Sequence, residues 1–154
     1  MVDVLTPDQR SYCMSQIRAA NTKPERMLRT QLFLRGFRYR LHAKDLPGRP
    51  DLVFPKYRAV IFVHGCFWHG HNCRLFKMPA TNAEFWMAKI AKNRQNDLRS
   101  MVALRREEWR VLTVWECALR SPGSYPPESL AHKAADWLRS TSSRKTLRGR
   151  RTKR

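Results

Sequence analysis

Residues 46–73 read LPGRPDLVFPKYRAVIFVHGCFWHGHNC, and this stretch decides the fold. Leu52–Phe54 and Ala59–Val63 are short apolar runs bounded by Pro and Gly residues, which predicts two buried strands joined by a tight turn. Asp51 begins the first strand and His64 ends the second. Whether the two side chains become neighbours depends on the register, because a slip of one residue moves a side chain to the other face of the sheet.

The chain as a whole is short and strongly basic. Its 154 residues are enough for one domain with a core that needs no disulfides, and we expect that domain to cover residues 1–140. The formal net charge is +19, from 31 Lys and Arg against 12 Asp and Glu. Residues 144–154 hold seven basic residues and no acidic one, so most of the excess lies elsewhere. A polyanionic partner is therefore the first expectation.

No apolar segment is long enough to span a membrane, and no signal peptide is recognisable. These features predict a cytoplasmic protein with no membrane partner. In that reducing setting, clustered Cys and His residues indicate a metal site more often than a disulfide.

The N-terminal segment has the pattern of a capped helix. Thr-Pro-Asp-Gln at residues 6–9 combines a capping box with Pro at the first helical position, which predicts a helix over residues 6–19. Met14 and Ile17 are three residues apart and share one face of this helix. Beside two arginines, that face would either contact nucleic acid or pack on the core, and the pattern favours neither.

The rest of the pattern predicts a mixed α/β fold. A second capping box at residues 22–25 gives Glu25 a capping role on local grounds, in a helix that ends near Gly36. A third box, at residues 81–84, opens a long basic helix. The remaining elements are predicted strands at residues 37–41 and 111–115, a closing helix at residues 130–138, and a basic, disordered tail over residues 141–154.

Cysteine and histidine cluster after the second strand. Cys66, Cys73 and Cys117 supply three soft ligands, and either His69 or His71 is close enough in sequence to supply a fourth. Four such ligands suit tetrahedral Zn²⁺ with no open position, which is typical of a structural site. The alternative is that the cysteines are small buried apolar residues, and the clustering favours zinc.

A carboxylate at a strand edge is what Mg²⁺ requires, so Asp51 is a candidate magnesium ligand. The alternative is an ordinary turn residue, since Asp is common after Pro. His69 could deprotonate an attacking water if an acidic residue fixed its tautomer. Asp97 lies on the apolar side of the long helix and needs a partner, so His69 and Asp97 are a candidate pair.

Phe67 and Trp68 are adjacent large aromatics in a short loop between a metal ligand and a histidine. Both are difficult to bury there, so at least one should be exposed and able to stack on or wedge between bases. Packing around the zinc site is the alternative, and the basic charge favours the wedge.

Three segments together resemble one family. PGRPD at 47–51, VIFVHGCFWHGHNC at 60–73 and TVWEC at 113–117 are similar to the very-short-patch repair endonucleases, and the likeness runs from residue 10 to residue 137. The resemblance implies a restriction-endonuclease-like α/β fold, a central mixed sheet flanked by helices with a structural zinc site. It also implies a Mg²⁺-dependent nick 5′ to the thymine of a T·G mismatch, which arises when 5-methylcytosine deaminates, and which initiates very-short-patch repair.

The resemblance also assigns residues by position. Asp51, with the backbone carbonyl of Val63, takes the place of the magnesium ligands, and His69 that of a base paired with Asp97. The other matching positions are His64 and Glu25 in the active site, Cys66, His71, Cys73 and Cys117 as zinc ligands, and Phe67, Trp68 and Trp86 as intercalating aromatics. Implied partners are mismatched double-stranded DNA and downstream repair proteins, for a monomer associated with the nucleoid.

Two positions depart from the family pattern. Val63 stands where the best-known members have Thr, which is tolerable if only the backbone oxygen binds metal. Gly70 replaces a His, and we expect it to loosen the loop that holds His69. The second carboxylate and Lys of most restriction enzymes are also absent, with Phe62 and His64 in their place, which fits a histidine-based variant.

Two other functions remain open. One is a sequence-specific endonuclease of the same fold, which would cut matched duplex as readily as mismatched duplex. The other is a non-catalytic zinc DNA-binding module, in which Asp51 is only a turn residue.

Overall fold

The computed structural model describes residues 23–120 and 123–150. The predicted helix at residues 6–19, with Met14 and Ile17, lies outside this range. The described part of the chain forms, in order, α1 (Lys23–Leu34), β1 (Arg40–Leu41), β2 (Leu52–Phe54), β3 (Ala59–His64), α2 (Ala83–Arg106), β4 (Arg110–Trp115), α3 (Pro127–Arg139) and β5 (Arg144–Leu147).

The strands make one mixed sheet in the order β1-β2-β3-β4-β5. The first three are antiparallel neighbours, whereas β3, β4 and β5 run parallel. The two parallel connections contain α2 and α3, as parallel neighbours require a long crossover. The predicted mixed sheet flanked by helices is confirmed.

Both faces of the central strands β2, β3 and β4 are buried, because alternate strand residues enter different cores. On one face, Leu52, Phe54 and Ile61 pack with α1 and α3. On the other face, Val60 and Phe62 pack with the C-terminal half of α2. This double burial explains why β2 and β3 are continuous apolar runs in the sequence.

The predicted start of α2 is only partly correct. The helix begins at Ala83, and the residue before it, Asn82, has a left-handed backbone (φ 57°) and makes no side-chain capping bond. The prediction of a capping box at residues 81–84 is therefore wrong, although the predicted helix is present. No helix in the described ranges is long and apolar enough to cross a bilayer.

The prediction of a disordered tail from residue 141 is wrong for its first part. Arg144–Leu147 forms β5, which pairs with β4 from Val111↔Arg144 to Val114↔Leu147. The edge of β4 that faces away from β3 supplies backbone hydrogen-bond partners for a parallel strand. Leu147 is buried in the core despite its basic neighbours. Residues 151–154 lie outside the described range.

Candidate active site and metal centre

Asp51 lies where β2 begins, at the same edge of the sheet at which β3 ends. This follows from the antiparallel register, in which Leu52 pairs with Ile61. The Oδ2 atom of Asp51 accepts a hydrogen bond of 2.7 Å from the backbone N–H of Val63. Burial raises the pKa of Asp51 to about 7; the Val63 N–H opposes this rise and the Glu25 carboxylate adds to it. A buried carboxylate in this position is stabilised by a cation.

His64, the last residue of β3, directly follows Val63, whose N–H binds Asp51, and it contacts His69. Its ring stacks on that of His69, with the centroids 3.9 Å apart and the planes at 6°. His69 Nδ1 hydrogen-bonds to Asp97 Oδ2 on α2, so the predicted pair is present. Burial, and then the neighbouring His69, lower the pKa of His64 to about 3. His64 is therefore neutral at physiological pH.

The loop that carries His69 is held from both sides. Within it, the His71 N–H donates to Cys66 O at 2.9 Å, and from α2 the Asn93 side chain donates to Trp68 O at 2.9 Å. Gly70 has φ +60°, and a Cβ added there would lie 2.6 Å from Ile90 Cγ2. The missing side chain of Gly70 lets α2 pack directly against the loop, which argues against the expectation that this glycine loosens it.

The backbone N–H and the side chain of Val63 make different contacts. The N–H faces Asp51, while the side chain packs against the core on the side of α1 and α3. An apolar residue in place of Thr is therefore accommodated by packing.

A third acidic group is Glu25, which local pattern made a helix cap and which only the resemblance placed in the active site. Glu25 on α1 is 1% exposed, and its Oε1 lies 3.0 Å from His42 Nε2 and 3.4 Å from Arg29 Nη1. Glu25, His42 and Asp51 present side-chain atoms within 4.8 Å of one another. Sequence reasoning missed His42, although it directly follows a predicted strand that pairs with the strand beginning at Asp51.

Four soft or borderline ligands converge at the other end of the loop. One atom each from Cys66, His71, Cys73 and Cys117 lies within 4.8 Å of the others. His71, and not His69, faces the cysteines: its Nδ1 is 3.6 Å from Cys117 Sγ. His71 is therefore the histidine that joins the cluster, a choice that spacing left open.

The protonation states of this cluster suit a cation. Burial raises the pKa of the Cys66 and Cys117 thiols, and burial lowers the pKa of His71, with nearby Arg148 adding to the effect. A neutral imidazole is the form that binds metal, and buried thiolates require a positive partner. The donor set of three thiols and one imidazole fits tetrahedral Zn²⁺.

Two of these sulfur atoms accept hydrogen bonds from backbone N–H groups. The Cys117 N–H donates to Cys66 Sγ at 3.3 Å, and the Gly149 N–H donates to Cys117 Sγ at 3.2 Å. The second bond comes from just beyond β5. The segment predicted as a tail therefore closes over the cysteine and histidine cluster.

An aromatic cluster lies beside the loop. Phe67 and Trp68 are 5.2 Å apart between ring centroids, and Trp86 lies 5.4 Å from the first and 5.8 Å from the second. Phe76 and Phe85 extend the cluster, and the Phe85 side chain is 60% exposed. Phe67, Trp68 and Trp86 are each half-buried, so the structure brings all three predicted aromatics together with part of each ring accessible.

Comparison with known proteins identifies the family. Residues 2–75 match the family model described as DNA mismatch endonuclease Vsr. The chain is 51% identical over 124 residues to the type II nicking enzyme V.XorIIP of Xanthomonas oryzae pv. oryzae, covering 80% of this chain and 91% of that protein. It is 46% identical over 138 residues to the DNA mismatch endonuclease Vsr of Escherichia coli, covering 90% and 88%.

A third relative, the type II nicking enzyme V.NmeAIP of Neisseria meningitidis, is 43% identical over 121 residues, which are 79% of this chain and 86% of that protein. The family-model match covers α1, β1, β2, β3 and the following loop as far as residue 75. The chain is a DNA endonuclease, and it belongs to the Vsr family of DNA mismatch endonucleases.

Proposed function

We propose that this protein is a Mg²⁺-dependent endonuclease that nicks DNA 5′ to the thymine of a T·G mismatch and so initiates very-short-patch repair. It would act as a monomer on the nucleoid DNA of the cytoplasm and hand the nick to downstream repair proteins. The observation that supports this most directly is the continuity of the site. Asp51 contacts Val63, His64 follows Val63 and stacks on His69, and His69 pairs with Asp97.

Each of these residues has a role in the proposed reaction. His69 accepts the proton of the attacking water, and Asp97 fixes its tautomer by accepting the Nδ1 proton. Asp51 and the backbone carbonyl of Val63 would hold the magnesium ion. When bound, that ion stabilises the negative charge that builds on the scissile phosphate. His64, neutral and stacked, keeps the His69 ring in place.

Cys66, His71, Cys73 and Cys117 would hold a structural zinc ion. Four protein ligands leave no position for water or substrate, which separates this centre from the chemistry. Its proposed contribution is to fix the loop that starts at Cys66 and carries His69.

One assay tests the proposed function against both alternatives. We expect nicking of a T·G duplex in Mg²⁺, no nicking when Mg²⁺ is omitted, and much slower nicking of the matched A·T duplex. Equal cutting of both duplexes would indicate a sequence-specific endonuclease. Binding without nicking in Mg²⁺ would indicate a non-catalytic module.

The aromatic cluster should supply part of the mismatch preference. Unstacking a base step costs a few kcal/mol and is easiest where pairing is already poor, so a wedge favours mismatched DNA. Phe67→Ala combined with Trp68→Ala should weaken binding to T·G duplex far more than to matched duplex, as measured by fluorescence anisotropy. Phe33→Ala is a suitable control, since it removes a half-exposed ring from α1. An equal loss on both duplexes would mean that the aromatics only pack.

Basic residues should supply affinity without mismatch preference, because cations that bind phosphate release counterions whatever the sequence. Since β5 belongs to the sheet, the test uses substitutions and not a truncation. Lys89→Ala with Lys92→Ala, both exposed on α2 within two helical turns of Trp86, should weaken binding to both duplexes equally. The slope of log K against log salt should become shallower by about 0.9 for each phosphate that these lysines no longer neutralise.

Arg105→Ala is the matched control for this pair. It removes a charge from an exposed residue of the same helix, 16 residues beyond Lys89 and so about 24 Å along the axis. We expect little change in binding. The proposal is that basic residues supply affinity and the aromatic cluster supplies the mismatch preference. If replacing Lys89 and Lys92 abolished the mismatch preference, this proposal would be wrong.

A further inference from the structure

Two carboxylates share a buried space at the start of β2. The side chain of Glu25 is 2% exposed and that of Asp51 is 15% exposed. Carboxylates that are buried close together repel each other and lose their hydration, so each must be held by donors of fixed position. The arrangement of those donors decides where the carboxylate oxygens point.

His42 lies between these two carboxylates, and its two ring nitrogens face one each. Its Nε2 is 3.0 Å from Glu25 Oε1, and its Nδ1 is 3.8 Å from Asp51 Oδ1. The other oxygen of Asp51, Oδ2, is already fixed by the Val63 N–H. The imidazole is therefore within hydrogen-bond distance of Glu25 and faces the second oxygen of Asp51 across 3.8 Å, which is an ion-pair distance and not a hydrogen bond.

The backbone fixes the position of the imidazole. The His42 N–H donates to Asp51 O at 3.1 Å, which continues the ladder formed by Leu41 and Leu52 beyond the end of β1. His42 adopts φ +47°, a left-handed conformation that is uncommon for a residue other than Gly, although His adopts it more often than most other residues do. An uncommon backbone conformation that brings a polar ring onto two carboxylates indicates a functional position more than a packing one.

We infer that His42 is a positioning residue for the magnesium site, orienting Asp51 and Glu25 so that the carboxylate of Asp51 is ready to bind the cation. This inference rests on the proposed Mg²⁺-dependent nicking. Loss of a side chain that orients a metal ligand typically lowers metal affinity about 10- to 100-fold. His42 touches neither the water nor the phosphate in this proposal, so the rate with saturating metal should change little.

The test separates metal affinity from the chemical step. Single-turnover nicking of T·G duplex is measured against MgCl₂ concentration for the parent protein, His42→Ala and His42→Gln. We expect His42→Ala to raise the half-saturating Mg²⁺ concentration about 10- to 100-fold with a nearly unchanged maximal rate. His42→Gln keeps a donor toward Glu25 and should recover part of that loss. Binding of MnCl₂ to the protein–DNA complex, followed by electron paramagnetic resonance, should weaken in the same order.

His132→Ala is the matched control. It removes an exposed histidine of α3 whose Nε2 lies 3.3 Å from Asp136, and it should leave the magnesium dependence unchanged. If His42→Ala fails to fold, His42→Gln alone decides, since an unchanged half-saturating concentration would overturn the inference. A lower maximal rate at unchanged metal affinity would overturn it as well. If the parent protein does not nick in Mg²⁺, the proposed function fails first.

Discussion

Asp51→Asn should remove nearly all Mg²⁺-dependent nicking while leaving the protein folded. The substitution keeps the size of the side chain and its acceptor for the Val63 N–H, but it removes the negative charge that holds the cation. The carboxylate is buried next to Glu25, so relief of this repulsion should leave stability unchanged or slightly higher. We expect the rate to fall by more than that of any other single substitution in the site.

His69→Ala should lower the nicking rate by about 10²- to 10⁴-fold, the usual contribution of a positioned general base. Asp97→Asn should have a milder effect, because the amide can still contact the ring of His69 but does not stabilise the imidazolium that forms when His69 takes the proton. DNA binding should be unchanged in both variants.

The measurement for these three variants is single-turnover nicking of a T·G duplex at saturating enzyme, with binding checked separately in Ca²⁺. Asp136→Asn is the control for a general loss of acidic charge, since Asp136 is exposed on α3. If His69→Ala nicks at the parent rate, or Asp51→Asn keeps full Mg²⁺-dependent activity, the assignment of this active site fails.

The geometry of the site could be predicted from sequence where local pattern decided it. Two continuous apolar runs with a tight turn allow few arrangements besides a buried hairpin, and this placed Asp51 and His64 at strand ends. Asp97 was recognisable because a carboxylate on the apolar side of α2 needs a partner. The pairing with His69 then follows from the packing of α2 on the loop after β3.

Other features depend on contacts between distant segments, which local patterns do not encode. His42 joins the site only because β1 pairs with β2. The strand was predicted, at residues 37–41, but the sequence does not show which strand it pairs with, and only Arg40–Leu41 forms β1. The basic composition of residues 144–147 predicted disorder, but the open edge of β4 and one buried side chain, Leu147, make them a strand. Gly70 was expected to add flexibility. Its tight packing against Ile90 is visible only in three dimensions, so the sequence could not indicate it.

The second large effect concerns the metal centre. Cys117→Ser should remove zinc and much of the stability, because structural zinc contributes roughly 10–16 kcal/mol in small zinc-dependent peptides. Cys66 follows β3 and Cys117 follows β4, while His71 and Cys73 belong to the intervening loop. Zinc would therefore tie the ends of two parallel strands to the loop of His69. Nicking should be lost together with the metal.

Elemental analysis and thermal unfolding with and without EDTA measure both effects. The control is Cys13→Ser, which replaces the one cysteine of the sequence that is not a proposed zinc ligand and should leave the zinc bound. The protonation states also predict the pH dependence. Burial raises the pKa of Cys66 and Cys117, so without zinc these thiols stay protonated, and zinc binding must displace their protons. Zinc affinity should therefore fall as the pH falls, and mild acid should release the metal and destabilise the fold together. Freshly purified parent protein that contains no zinc, or Cys117→Ser protein that keeps one ion per chain, would contradict this assignment.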